Sequence, residues 1–352
     1  MYEQAGILPL WLADMDFLSP PAVIESLHKR VDHGVFGYTT VPKELVEVVI
    51  ATLESHYQWK VKAEWLVWLP SLVTGLNIAC RAVGSDGDEV LTAVPVYPPF
   101  LTAPGNSRRH LVTVPLARKS GRWCFDFDKL ENAISSHTRL MLLCSPHNPV
   151  GRVFTGEELS AVAEICGRHG IVICSDEIHC ELVLDKDKRH IPTATLSNEV
   201  AESTITLMSP SKTFNLPGLG CSFAIIPNRE LRGAFRLARR GIVPSVNVVA
   251  FEAALAAYRD CSDWHDQLIE YLRKNRDIVS YAVNEMPGLS MTHVEGTYLA
   301  WIDTQEAGIN EPAKFFAESK VGLADGITFG GSGFVTLLLA GKVLHETNTQ
   351  RK

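Results

Sequence analysis

Ser209-Pro-Ser-Lys212-Thr-Phe-Asn215-Leu-Pro-Gly218 follows an apolar run, Thr204-Ile-Thr-Leu-Met208, that reads as a buried strand. The same arrangement occurs twice upstream. Leu140-Met-Leu-Leu-Cys144 is followed by Asn148, and Ile171-Val-Ile-Cys-Ser175 by Asp176. A lysine, an asparagine and an aspartate thus each stand just past the carboxyl end of a short β run. In an open α/β sheet, that edge is where ligands bind.

Outward from these runs the chain alternates between β and α. Val67-Trp-Leu69 predicts a strand that passes through Pro70-Ser71 into a helix carrying Leu76, Ala79 and Val83. Glu89–Ala93 predicts the next strand, and Val96-Tyr-Pro-Pro-Phe100 follows it. Thr155-Gly-Glu-Glu158 has capping-box spacing for a helix with Leu159, Val162, Ala163 and Cys166 inward, stopping near Gly170. Pro20-Pro21 opens a helix with Ile24, Leu27 and Val31 on one face, closed by Gly34. Short apolar strands separated by helices imply an α/β fold with a mainly parallel sheet covered on both faces. After about residue 240 the pattern changes. Asn247–Tyr258 and Trp264–Val283 read as long helices, Thr297–Ile302 as a strand, Pro312–Glu318 as a helix and Gly333–Leu339 as a last strand.

Bulk properties narrow the function. At 352 residues the chain exceeds one ordinary core, so a large and a smaller domain are expected. A net charge of −7 without a basic block argues against nucleic acid or an anionic membrane as partner. No apolar run approaches the ~20 residues of a membrane span, and Met1-Tyr-Glu-Gln does not resemble a signal peptide, so a cytoplasmic protein is expected. The eight scattered cysteines show no Cys-x-x-Cys pair and read as reduced thiols. The twelve histidines form no ligand pair on a helical face, so no metal is expected.

A lysine that can form an imine, with an aspartate to pair a pyridinium nitrogen, is what pyridoxal phosphate requires. Lys212 is the candidate imine-forming lysine, although a lone lysine in a loop is more often a surface residue. Asp176 fits the ring-nitrogen partner or a helix N-cap. Asn148, in Ser145-Pro-His-Asn-Pro-Val-Gly151, fits a donor to the phenolic oxygen or a turn residue. Tyr97 fits a stacking ring or core. Ser209 and Ser211 are phosphate donors or turn serines, and Ser71-Leu72-Val73 offers backbone N–H groups at a helix start.

Together these segments resemble fold-type I pyridoxal-phosphate enzymes, the aspartate aminotransferase superfamily, and within it the cystathionine β-lyase or C–S lyase branch. The resemblance rests on Trp11-Leu-Ala-Asp-Met-Asp-Phe17, His33-Gly-Val-Phe-Gly-Tyr38, Pro95-Val-Tyr-Pro-Pro-Phe100, Ser145–Gly151, Ser175-Asp-Glu-Ile-His179 and Ser209–Asn215, in that order. It implies a large cofactor domain at 20–260 and a small α+β domain from 1–19 and 261–352, with the first ~19 residues packed on the latter. It implies Lys212 bonded to the cofactor, Asp176 on the ring nitrogen, Asn148 on the phenolic oxygen and Tyr97 against the ring. His179 stands where many aminotransferases have tyrosine. Tyr38 would reach the phosphate of a neighbouring subunit, which implies a homodimer, and Ala13 and Asp14 would line the substrate cleft.

The implied activity is β-elimination from a cysteine-derived thioether such as cystathionine, giving pyruvate, ammonia and a thiol. An aminotransferase on the same fold is the alternative. A catalytically impaired, cofactor-binding homologue is a third, because Gly333-Phe-Val-Thr336 places threonine where the family carries its carboxylate-binding arginine. Losing that charged partner costs roughly 1.5–3 kcal/mol of substrate binding. Arg239 and Arg240 are candidate substitutes, the alternative being a substrate without a free α-carboxylate. The stretch Lys342–Lys352 is short and polar, and the family's closing helix is not expected there.

Overall fold

The computed structural model describes residues 6–341. Its central sheet has seven strands: β1 (Leu66–Leu69), β2 (Glu89–Val94), β3 (His110–Pro115), β4 (Thr138–Cys144), β5 (Val172–Asp176), β6 (Thr204–Met208) and β7 (Ser222–Ile225). Their order across the sheet is β1-β7-β6-β5-β4-β2-β3. β7 runs antiparallel to both its neighbours, and the other pairings in the sheet are parallel. Parallel pairing buries both faces, which is why these strands read as unbroken apolar runs rather than alternating ones.

Two separate cores follow from the two faces. Leu140, Leu142, Cys144, Ile205 and Leu207 face one way, with helix α3 (Leu72–Ala82), which follows α1 (Pro21–His33) and α2 (Lys43–Tyr57) in the chain, packed over them. Met141, Leu143, Ile171 and Ile173 face the other, under α5 (Gly156–Arg168). Between these helices in sequence, α4 (Pro99–Asn106) follows β2. The capping box of α5 is formed: Thr155 Oγ1 accepts from the Glu158 N–H at 3.2 Å, and Glu158 Oε2 accepts from the Thr155 N–H at 2.9 Å.

The second sheet has four strands: β8 (Ser290–Met291), β9 (Leu299–Asp303), β10 (Ala324–Asp325) and β11 (Phe334–Leu338), in the order β8-β9-β11-β10. The amino-terminal segment joins this region. Leu8–Pro9 pairs in parallel with Val321–Gly322, Leu10 O accepts from the Leu338 N–H, and the Asp16 N–H reaches Ala340 O.

Two sequence expectations shift. The helix Pro21–His33 does not bury the Ile24–Leu27–Val31 face; Val31 is 57% exposed and Val23 fully buried. Its partner helix, Val248–Asp260, presents Ala253, Ala256 and Ala257, and these small side chains receive Val23 and Leu27 one turn apart. Asp176 is the last residue of β5 rather than the first beyond it. The segment Lys342–Lys352 lies outside the described residues.

Candidate active site

The parallel strands deliver their carboxyl ends to one edge. β4 and β5 pair Cys144 with Asp176, and β5 pairs Asp176 with Leu207 of β6, so the residues that follow these strands emerge side by side. β7, being reversed, brings its start, with Gly220 and Cys221, to the same edge. There a cavity of about 240 Å³ is lined by Ala13, Ser71, Leu72, Val73, Tyr97, Asn148, Asp176, His179, Ser209, Ser211 and Lys212, together with Pro70, Phe100, Cys144, Ile178, Pro217, Gly220 and Cys221. Of the residues singled out in the sequence, Tyr38 and Asp14 are not in its wall. Tyr38 is fully exposed, and Asp14 acts on Lys212 through its charge.

Lys212 is the sole lysine or arginine among the described residues of the wall. Burial lowers its pKa, while Asp14 and Asp176 act in the opposite sense. Its Nζ donates to the Ala13 carbonyl at 2.5 Å. The hydroxyl of Tyr298, a residue the sequence did not flag, donates to the same oxygen at 3.0 Å. Asp176 is 5% exposed, and burial, helped by Glu177, pushes it up to about 7 despite the Ile178 N–H and Lys212. Its Oδ1 accepts from the Ile178 N–H at 3.1 Å, and no helix follows, so it is not an N-cap. His179 is pushed down to about 3 by burial and by Lys212, so its ring is neutral. The ring meets that of Tyr298 edge-on at 5.6 Å.

Several polar valences at this edge are open. Asn148 Oδ1 and His179 Nδ1 are buried without a protein partner. A buried polar atom left unpaired costs free energy comparable to a lost hydrogen bond, and in a cavity wall such atoms fit the polar groups of a ligand. Asp176 is nearly enclosed, and the Ile178 N–H and Lys212 only partly offset its burial. At the far end, Ser71 caps α3 by accepting from the Thr74 N–H at 3.1 Å. The first-turn amides of α3 are groups no helix carbonyl can reach, and the helix dipole favours an anion there. Ser209 Oγ donates to Cys221 O at 2.7 Å and lies 2.8 Å from Ser211 Oγ. An enclosed lysine amine, a buried carboxylate, an open side-chain amide and a helix start are features that suit a flat cationic heterocycle carrying a carbonyl and a phosphate. The residues present fit pyridoxal phosphate.

Thr336 lies in β11 opposite Trp301 and Ala324, 2% exposed, with Oγ1 unpartnered, and is not in the cavity wall. Neither candidate substitute arginine is there. Arg239 Nη1 donates to Trp68 O at 2.7 Å, and Arg240 is exposed.

Comparison with known proteins gives the family. The aminotransferase class I and II family profile matches residues 7–326. Cystathionine beta-lyase PatB of Bacillus subtilis (strain 168) is 38% identical over 346 residues, 96% of this chain and 89% of PatB. The crystal structure of OvoB superposes with a TM-score of 0.94 at 46% identity, covering 96% of this chain and 89% of OvoB. That of cystalysin from Treponema denticola, which contains pyridoxal 5'-phosphate, gives 0.91 at 33% identity, covering 96% and 88%. The chain belongs to the aminotransferase class I and II family, on its C–S lyase branch.

Proposed function

We propose that the protein is a pyridoxal-phosphate-dependent C–S β-lyase acting on a cysteine-derived thioether such as cystathionine. The observation that carries this is the convergence of Lys212, Asp176 and Asn148 on one cavity, with open valences matching the cofactor. PatB, at 38% identity, is named for this activity, which supports the lyase over the aminotransferase.

The cofactor, when bound, supplies an electrophilic carbonyl carbon and a conjugated ring that accepts electrons from the substrate Cα. Lys212 would carry it. Asp176 would hold the ring nitrogen as a cation, and that cation would in turn keep Asp176 ionised. Asn148 would take the ring oxygen and Tyr97 a ring face. His179, neutral, would pack beside the ring without adding charge. Ser71, Leu72, Val73, Ser209 and Ser211 would hold the phosphate.

Lys212 then does the proton transfer. Its amine is buried and its pKa lowered, which raises the neutral fraction available to take the substrate Cα proton. The Ala13 carbonyl gives that amine a resting acceptor when it is free. With the proton removed, the C–S bond at Cβ breaks and the thiol departs. Overall, thioether and water yield pyruvate, ammonia and thiol. Ala13 and Asp14 would face the substrate.

Three further features belong to the same reading. Val35, Phe36 and Tyr38 form an exposed, partly apolar stretch that a second copy of the chain would cover, with Tyr38 reaching that copy's phosphate site. Residues 20–260 would form the cofactor domain, and 1–19 with 261–352 the small one. The eight free cysteines suit a reducing, cytoplasmic location. No helix among the described residues is long and apolar enough to cross a membrane.

The test is pyruvate release from L-cystathionine by the loaded enzyme with no keto acid added. Stoichiometric pyruvate, ammonia and thiol support the lyase. Turnover that requires a keto acid would establish the aminotransferase. No turnover despite bound cofactor would favour the impaired reading suggested by Thr336.

A further inference from the structure

Three residues beyond Lys212, on the same turn, Asn215 holds a left-handed backbone with φ 54°. Its side chain is fully used, and every partner lies about 200 positions earlier in the chain. Oδ1 accepts from the Met15 N–H at 3.1 Å. Nδ2 donates to Met15 O at 3.1 Å and to Phe17 O at 2.8 Å. The Asn215 carbonyl accepts from Ser19 Oγ at 2.9 Å. One acceptor and two donors against a single backbone segment is a pattern an amide satisfies and a carboxylate cannot.

The segment so held is the one that reaches the cavity. Ala13 lines the wall, and its carbonyl receives the amine of Lys212. Burial accounts for only part of its placement. Met15 is buried, but Leu12 is 59% and Leu18 82% exposed. The segment is therefore tied to one turn at two points, through the Lys212 amine at Ala13 and through the Asn215 amide at Met15 and Phe17.

We propose that Asn215 is a positioning residue: it sets where Ala13 and Asp14 stand relative to Lys212, so that the wall facing the substrate and the turn carrying the catalytic amine form one body. The substrate part of this statement rests on the lyase reading; the coupling itself does not.

Asn215→Gly keeps the left-handed backbone without strain and deletes three hydrogen bonds. Asn215→Asp keeps the acceptor and turns a carboxylate onto two carbonyls. Amide hydrogen exchange of residues 10–19 is measured in cofactor-free protein, and kcat and KM for L-cystathionine are measured separately in loaded protein. Both variants are expected to speed exchange of the Met15 N–H, the amide bonded to Asn215, by about tenfold or more, with the strand Thr204–Met208 unchanged. KM is expected to rise several-fold more than kcat falls. Unchanged exchange in the segment, or a rise spread evenly over the fold, overturns the proposal. Faster exchange with KM unaltered overturns its substrate part. Faster exchange in a chain whose wild type never turns over a thioether leaves the coupling standing and removes the lyase reading instead. Should neither variant fold, Ser19→Ala, which removes one bond to the same turn, is expected to give a smaller rise confined to the same segment, and no rise overturns the coupling.

Discussion

Two buried polar clusters in this molecule are built from similar residues and end differently. Beside α5, Arg152 Nε donates to Glu295 at 2.9 Å, Nη2 reaches Glu158 at 2.6 Å and Nη1 donates to the Trp123 carbonyl. Glu295 also accepts from the Val153 N–H at 2.9 Å and pairs with Arg122 and Lys188. Burial pushes Glu295 up, but the Val153 N–H, Arg152 and Lys188 bring it below the usual carboxylate range. At the sheet edge, burial raises Asp176 to about 7, the Ile178 N–H and the charge of Lys212 opposing it only in part. Asn148 and His179 there keep unpaired atoms. The first cluster closes on itself and ties the second sheet's approach to the first; the second is incomplete until something enters it. Unpaired polar atoms occur elsewhere too, as at Thr336; what separates the site from the scaffold is that those of Asn148 and His179 belong to the wall of one cavity with Lys212 and Asp176.

Substitutions can break this contrast. Lys212→Ala is expected to cost on the order of a thousandfold or more in pyruvate formation while leaving the melting temperature of the cofactor-free chain nearly unchanged. Equal loss of fold stability would place Lys212 in the scaffold. Glu295→Ala is expected to destabilise the chain by about 3 kcal/mol in denaturant unfolding, with and without cofactor alike, because it takes one of two carboxylates from buried Arg152 and leaves the Arg152 Nε and the Val153 N–H unpaired. A loss appearing only in loaded protein would reverse the assignment of the two clusters. Asp176→Asn is expected to lower turnover roughly a hundredfold, with the cofactor-free fold slightly stabilised.

The smallest effect is in pH dependence. Burial pushes Asp176 up to about 7 in the folded chain, against 3.8 for an aspartate free in water. Between these values the folded chain holds a proton that the unfolded chain has lost, so the cofactor-free fold loses stability as pH rises through that window. A cation on the ring would cancel the penalty. The gap in melting temperature between loaded and cofactor-free protein should therefore widen across the window, and Asp176→Asn should flatten it. A gap that narrows would contradict the proposed pairing.

How far the sequence carried this account depended on the range of each determinant. Lys212, Asp176 and Asn148 were legible because each lies at or within four residues of the end of an apolar run, and parallel pairing brings such ends together. Thr204–Met208 and Pro312–Glu318 match the structure residue for residue, the first an unbroken run between polar neighbours and the second opened by proline. Tyr298, Asn215 and Phe100 were not legible as site residues. Tyr298 and Asn215 act through the Ala13–Phe17 backbone, and that contact exists only once residues about 200 to 285 positions apart have met. The buried face of Pro21–His33 was misread because three alanines on another helix decide it, and no local periodicity reports a partner's hollows.

The central claim is that Lys212 bonds a pyridoxal cofactor held by Asp176. The most direct measurement is the visible absorption of protein loaded with pyridoxal phosphate, wild type beside Lys212→Ala, before and after addition of L-cystathionine. The account predicts a visible band of the lysine-bound cofactor that is absent from the variant, and that changes with cystathionine as pyruvate accumulates in the wild type. A wild-type spectrum identical to that of the variant, or no band after reconstitution, would contradict it.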